Sequence, residues 1–203
     1  DPLLDHVGLL GAARFVEADL RIATGLVEPH FMAGYSGGRK VIAPGVAHED
    51  TIRTFHSARF MEDPAAIQCN LDGNPLHEEQ LEIVRMLGEV YAVNTIIDED
   101  RHLIYANFGE VIEIHLAAVA FVALTLVLAV DLGGFARAAR RVGRTQSAVS
   151  LQMRRLEDGA GQSLFTRAGR SFALTTVGEQ MLGYARRLLA INDEAVAAVR
   201  GTR

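Results

Sequence analysis

Lysine is nearly missing from this 203-residue chain: Lys40 stands alone against 19 arginines. Cysteine is as scarce, and the single Cys69 excludes an internal disulfide, which makes a reducing cytoplasm the simplest home. The plain reading of that thiol is a small buried apolar group. The opening residues Asp1-Pro2-Leu3-Leu4-Asp5 lack the basic start and apolar run of a secretory signal, and no Met precedes them. Long hydrophobic runs are missing too. Residues 116–130 are uncharged, but 15 residues fall short of the roughly 20 that span a bilayer. They read as a buried helix or as the join of two helices. Internal repeats and Pro/Gly/Ser-rich linkers are also absent, so the parts of the chain follow one another closely.

Acidic and basic residues are unevenly spread. Residues 1–122 carry 8 Lys and Arg against 19 Asp and Glu, while residues 123–203 carry 12 Arg against 6 acids. The net charge therefore swings from −11 to +6, which predicts two stretches with different partners, one of them polyanionic. About half of the residues are apolar, enough to build a core in each.

In the acidic half, residues 19–27 read as a short buried strand, and Pro29 is expected to stop regular pairing. The following Gly34-Tyr35-Ser36-Gly37-Gly38-Arg39-Lys40 reads as a flexible loop ending in two cations. Glycines let backbone amides approach a ligand, and the amides of Gly37 and Gly38 with Arg39 and Lys40 suit a phosphate or carboxylate. The lone Lys40 has two readings. Either surface lysines have drifted to arginine, or a primary amine is required for covalent chemistry at a carbonyl-type group. A helix is predicted from about residue 48, with Ile52, Phe55 and Phe60 on its apolar side and His56 beside Phe55. A second runs from about 77 to 87 with Leu81, Val84 and Leu87 as its stripe. Strands at 90–97 and 102–107 and a helix from 110 complete an α/β pattern.

Val27-Glu28-Pro29-His30, the glycine loop through Lys40, Pro44-Gly45-Val46, His56 and Gly73-Asn74-Pro75-Leu76-His77-Glu78 resemble the nickel-dependent lactate racemase (LarA) family over roughly residues 15–120. The resemblance implies that Lys40 bonds covalently to a nickel-pincer nucleotide, with the glycine loop and Arg39 around it. It implies that His56 ligates the nickel and that His30 moves the hydroxyl proton of a small 2-hydroxyacid. The family's second catalytic histidine would lie before Asp1, and further substrate contacts come from a C-terminal domain. An enzyme reading would thus be a 2-hydroxyacid racemase or epimerase, expected to be inactive as this fragment.

In the basic half, Phe135, Ala138, Ala139 and Val142 form one face of a short helix, and Gly143-Arg144 a turn. Thr145 caps a second helix with Val149, Met153 and Leu156 inward and Gln146, Ser147, Ser150 and Arg154 outward. Residues 164–174 read as a hairpin with Ala168-Gly169 at its tip, and Arg167 and Arg170 flank that tip within reach of phosphates. A last helix begins at Thr176, with Glu179 completing a capping box. Its seam of Val177, Met181, Tyr184, Leu188, Ile191 and Ala195 suits either a partner helix or its own domain. Gly134-Phe135, Ala138-Ala139, residues 145–150, Arg155-Leu156-Glu157, Leu164-Phe165, Arg167, Arg170, Leu174-Thr175 and Gly178-Glu179 closely resemble the winged helix-turn-helix of LysR-type transcriptional regulators over roughly 120–200. That implies duplex DNA as partner and a homodimer through the helix at 176–198. Ala160 departs from the pattern, where a larger apolar residue is usual.

The expected architecture is an α/β fragment (1–120), then an all-α winged helix-turn-helix with a small β wing and a long linker helix (121–203). The function expected is a cytoplasmic DNA-binding regulator module fused to an incomplete racemase domain. The alternatives are a racemase-type enzyme carrying an appended helix-turn-helix, and an accidental fusion in which neither ancestral function survives intact.

Overall fold

The computed structural model describes residues 13–97, 101–168 and 171–200. The chain divides into two compact units at residue 118, with residues 97–104 belonging to the second.

The first unit opens with α1 (Ala13–Val16), β1 (Ile22–Leu26), β2 (Pro29–His30) and β3 (Gly34–Tyr35). Helices α2 (Arg39–Ile42), α3 (Glu49–Phe55), α4 (Ala58–Met61) and α5 (Pro75–Leu87) follow, then β4 (Tyr91–Ile97) and β5 (Leu103–Glu110). The main sheet has the order β1-β4-β5, and β1 runs parallel to β4 from Ile22 opposite Tyr91 to Leu26 opposite Thr95. Parallel neighbours need a crossover, supplied here by α2 to α5. Along β4, Ala92, Asn94 and Ile96 alternate inward. Arg21 ties the ends of three elements, donating to Val16 O at 2.6 Å, Phe15 O at 3.1 Å and Leu87 O at 2.7 Å. One core cluster joins Met32, Phe55, Phe60, Leu76 and Ile83; another joins Ala23, Ile42, Val84, Ala92, Val111 and Ile114.

Several expectations need correction. The pairing of β1 ends at Leu26, before Pro29 as expected, but Pro29 itself begins β2, opposite Tyr35 in a two-stranded antiparallel ladder. First position in a strand spares the missing N–H, because the ladder does not require that donor. The glycine segment is not a flexible loop either. Gly34 and Tyr35 are a buried strand, Gly37 and Gly38 are buried, and Arg39 starts a helix. In α3, Ile52 faces solvent while Phe55 turns in against Phe60 of the separate α4, their rings edge to face at 5.6 Å. His56 is the C-cap of α3 rather than a residue within it. Helix α5 begins two residues earlier than predicted, because Pro75 occupies its first turn and Asn74 caps it.

Helix α6 (Val111–Asp131) is continuous through the stretch that also read as a join of two helices. It is long and apolar enough to cross a membrane by length and composition, and half of its most apolar window is buried inside the protein. Its residues up to Ala118 belong to the first unit and those from Val119 to the second.

The second unit continues with α7 (Phe135–Val142), α8 (Gln146–Ala160), β6 (Phe165–Ala168), β7 (Ser171–Leu174) and α9 (Thr176–Arg200). Gly143, at φ 67°, closes α7 in the left-handed region where glycine carries no steric penalty. Ala129, Ala138, Ala139 and Val149 form the core, with Phe135 and Phe172 against it. Phe135, Phe165 and Phe172 pack mutually, centroids 4.8–5.2 Å apart, and fix the β6–β7 hairpin. Glu157 accepts from Leu164 N at 2.8 Å and Phe165 N at 3.1 Å, tying that hairpin to α8. The cap of α9 sits one residue before the expected one. Thr175 Oγ1 accepts from Gly178 N at 3.1 Å and donates to Ser163 O at 2.7 Å. In α9, Met181, Leu182 and Ala185 are buried within the unit, whereas Ile191 is 57% exposed.

Asn74 offers a direct test of the first unit. Its Oδ1 accepts from Leu76 N and His77 N, and its Nδ2 donates to Met32 O and Asn70 O. Asn74→Ala removes the cap and strands two buried carbonyls. The expected cost is about 3 kcal/mol, read as a lower urea midpoint with circular dichroism.

Candidate functional site: a pinned glycine loop and an exposed helix face

Three elements hold the glycine loop. Ser36 Oγ donates to Leu26 O at 2.7 Å and accepts from Glu28 N at 2.9 Å, tying the loop to the end of β1. Asn94 of β4, wholly buried, accepts from Gly38 N at 3.0 Å. His115 of α6 lies against Gly38 so closely that a Cβ there would fall 2.4 Å from its own, and Gly38 sits at φ 50°. Only glycine meets both conditions. Neither Asn94 nor His115 stands out in the sequence. The available signal for Asn94 is a lone amide in the apolar strand Tyr91–Ile97, which costs free energy unless it is bonded.

The backbone so fixed sets the side chains that follow. Arg39 turns inward and is fully buried. Lys40 is half-buried, and its pKa is lowered from the usual lysine value by burial and then by the Arg39 charge. His30, on β2, lies within electrostatic reach of Lys40, Arg39 and His56. Burial first, then those charges, pulls His30 down to about 4, leaving it neutral at pH 7. Its Nδ1 accepts from Ala33 N at 3.2 Å and Met32 N at 3.5 Å. A neutral ring accepting there has its proton on Nε2, so His30 presents a donor.

His56 is exposed, with Nδ1 2.7 Å from Ile52 O. Nδ1–H donates to that carbonyl, which leaves the Nε2 lone pair open for a metal. Among the described residues no group of three or more His, Cys, Asp or Glu is arranged to hold a metal ion. The described residues therefore offer a single imidazole, and any metal on it takes its other ligands elsewhere. Cys69 is buried and its thiol is pushed up to about 12 by burial, which makes it unreactive.

In the second unit Thr145 Oγ1 accepts from Ala148 N at 3.2 Å and caps α8. Ala148, Val149, Met153 and Leu156 face inward. Gln146, Ser147 and Arg154 are exposed and Ser150 is half-buried, at the i, i+1, i+4, i+8 spacing of one helix face. Arg167 lies on β6 opposite Phe172; its side chain, and Arg170 altogether, lie outside the described residues.

Residues 12–68 match the lactate racemase N-terminal domain, and residues 123–179 match the bacterial regulatory helix-turn-helix protein, lysR family. This chain is a fusion of a lactate racemase fragment with a LysR-type helix-turn-helix domain. The racemase fragment is 37% identical over 107 residues to the lactate racemase of Thermoanaerobacterium thermosaccharolyticum, covering 53% of this chain and 25% of that protein. It superposes on the solved apoprotein of that racemase with a TM-score of 0.52 at 37% identity, covering 53% of this chain and 26% of the other. The LysR-type domain is 56% identical over 75 residues to the HTH-type transcriptional regulator PecT of Dickeya dadantii, covering 37% of this chain and 24% of that protein. The fusion thus spans about a quarter of the length of each of these relatives.

The buried histidines of the racemase fragment make its stability depend on pH. Burial, with Arg39 next, holds His77 down at about 3, and His30 stands at about 4, both below the usual 6.5. The unfolded chain therefore binds protons first as pH falls. Stability is full above about pH 6.5 and is lost as pH drops from there through about 4, for His30, towards about 3, for His77. Hydrogen exchange in α5 should speed up between pH 6.5 and 5 after correction for intrinsic rates, and His77→Asn should flatten that dependence.

Proposed function

We propose that residues 121–203 form a DNA-binding regulator domain and that residues 1–120 form an incomplete racemase-type domain keeping its cofactor-attachment lysine. The observation that carries the DNA reading is the polar face of α8, presented by a capped helix immediately after a glycine turn. Gln146, Ser147, Ser150 and Arg154 are the side chains that meet base edges in the major groove. The β6–β7 hairpin acts as the wing, with Arg167 and Arg170 on phosphates. Helix α9 is the linker that pairs with its counterpart in a second copy; its exposed Ile191 supports that role. The +6 charge of this half favours duplex DNA, and the −11 of the other half opposes it. A cytoplasmic setting follows from that partner.

The second reading is an enzyme of the racemase type, favoured by Lys40 and His56 lying within electrostatic reach of His30. Those residues fit a nickel-pincer nucleotide: Lys40 is a partly desolvated amine suited to covalent attachment, and His56 has its Nε2 open to nickel. When bound, that group supplies the hydride acceptor for the α-hydrogen of a small 2-hydroxyacid. His30, as an Nε2–H donor, orients the substrate's hydroxyl oxygen. Taking up the hydroxyl proton requires it to shift tautomer and release the amides of Met32 and Ala33.

Two measurements separate the readings. Fluorescence anisotropy of the full chain on duplex DNA should show binding at low salt that weakens steeply with added salt. Arg154→Ala should lower affinity by about 1–3 kcal/mol; equal affinity for wild type and variant would overturn the assignment of α8. Intact-mass spectrometry after expression beside the cofactor-making enzymes should show an adduct that Lys40→Ala abolishes. An unmodified Lys40 would rule out the enzyme reading.

A further inference from the structure

Two contacts hold the His30 imidazole, one along its edge and one on its face. Along the edge, Nδ1 accepts from Ala33 N at 3.2 Å and Met32 N at 3.5 Å. Both donor residues are buried, and both are pinned at their carbonyls. Asn74 Nδ2 donates to Met32 O at 2.9 Å, and Arg39 Nη2 donates to Ala33 O at 2.7 Å. Met32 O and Ala33 N belong to one planar peptide group, so Asn74 fixes the direction of the N–H that His30 accepts. On its face the imidazole meets the ring of Phe31, centroids 4.8 Å apart and planes 23° from parallel. Neighbouring side chains on a strand point to opposite faces. Here β2 ends at His30 and Phe31 opens the turn to β3, so both rings come to the same side. Phe31 is 54% exposed, so its ring lies largely outside the core, and its aromatic partner among the described residues is His30.

We propose that Phe31 is a positioning residue for His30: its ring backs one face of the imidazole and keeps Nδ1 on the two amides, so that Nε2 is the edge presented to a ligand. The amides alone do not achieve this. Bonds along one edge act as a hinge, because hydrogen-bond geometry tolerates tens of degrees of tilt. A flat ring against the face removes that freedom, in a contact worth a factor of about two to ten in population. An aliphatic side chain covers a similar area without offering a plane. A fixed Nε2 direction is what a group needs if it is to meet a substrate hydroxyl at hydrogen-bond distance. The inference deepens the racemase-type reading of His30 and rests on it for its use, though not for its test.

Diethyl pyrocarbonate separates a held imidazole from a free one, because only an unprotonated ring nitrogen attacks its carbonyl carbon and expels ethyl carbonate. In neutral His30 that nitrogen is Nδ1, already engaged by the amides. The exposed His56 offers an open Nε2 and serves as internal reference. The full chain is treated at pH 7, and peptide mass spectrometry reads both rates. His30 should react several-fold more slowly than His56. Phe31→Ala should speed His30 by a factor of about two to ten and leave His56 unchanged. Phe31→Tyr keeps a flat ring and should react as the wild type does. Phe31→Leu keeps apolar cover without the plane and should react as Phe31→Ala does, which separates positioning from mere shielding. Amide exchange reads the other side of the contact: the Ala33 N–H should exchange faster in Phe31→Ala, with the amides of α5 unchanged. If the alanine variant does not fold, the tyrosine and leucine variants decide. A wild-type His30 as reactive as His56, or equal His30 rates in wild type and Phe31→Leu, would overturn the proposal. A held His30 in a chain whose Lys40 takes no adduct would sink the racemase reading alone; an adduct on Lys40 beside a freely reacting His30 would sink this one alone.

Discussion

The contact between Arg39 and His115 is the constraint on which the first unit is built. It joins α2, at the end of the glycine segment, to α6, some 76 residues later in the chain. With Asn94 holding Gly38 from β4, it fixes the backbone from which Lys40 projects. The interior here is polar, and low dielectric makes each unmatched group in it expensive. His77 and His115 are tolerated inside, and the half-buried His30 at its edge, because they remain uncharged at neutral pH.

The second unit uses simpler means. A left-handed glycine, a threonine cap, an aromatic triad and one glutamate that accepts two amides determine how α7, α8 and the hairpin meet. None of these devices places an ion in the interior. The polar side chains on α8 are left at the surface, where solvent or a partner can reach them.

Much of this is legible in the sequence, for physical reasons that differ between the halves. Amphipathic spacing at Phe135, Ala138, Ala139 and Val142, with Gly143 and Thr145, is local information, and the structure follows it residue by residue. The glycine segment reads as mobile because glycine content signals backbone freedom, whereas here it signals close approach of His115 and Asn94, groups far away in sequence. The burial of Arg39 is not legible for the same reason: no local pattern tells a solvated arginine from one buried by distant elements. Pro29 and Thr175 each depart by a small step from expectation, since strand starts and caps are decided by which neighbour accepts the hydrogen bond.

The central claim is that the exposed face of α8 is the surface that meets DNA, with the racemase fragment taking no part in that contact. An amide chemical-shift titration of the full chain with duplex DNA tests this most directly. The expected changes are confined to α8, the β6–β7 hairpin and their immediate neighbours, with α3, α5 and the glycine segment unmoved. Shifts centred on residues 30–56, or none in α8 at saturating DNA, would contradict it.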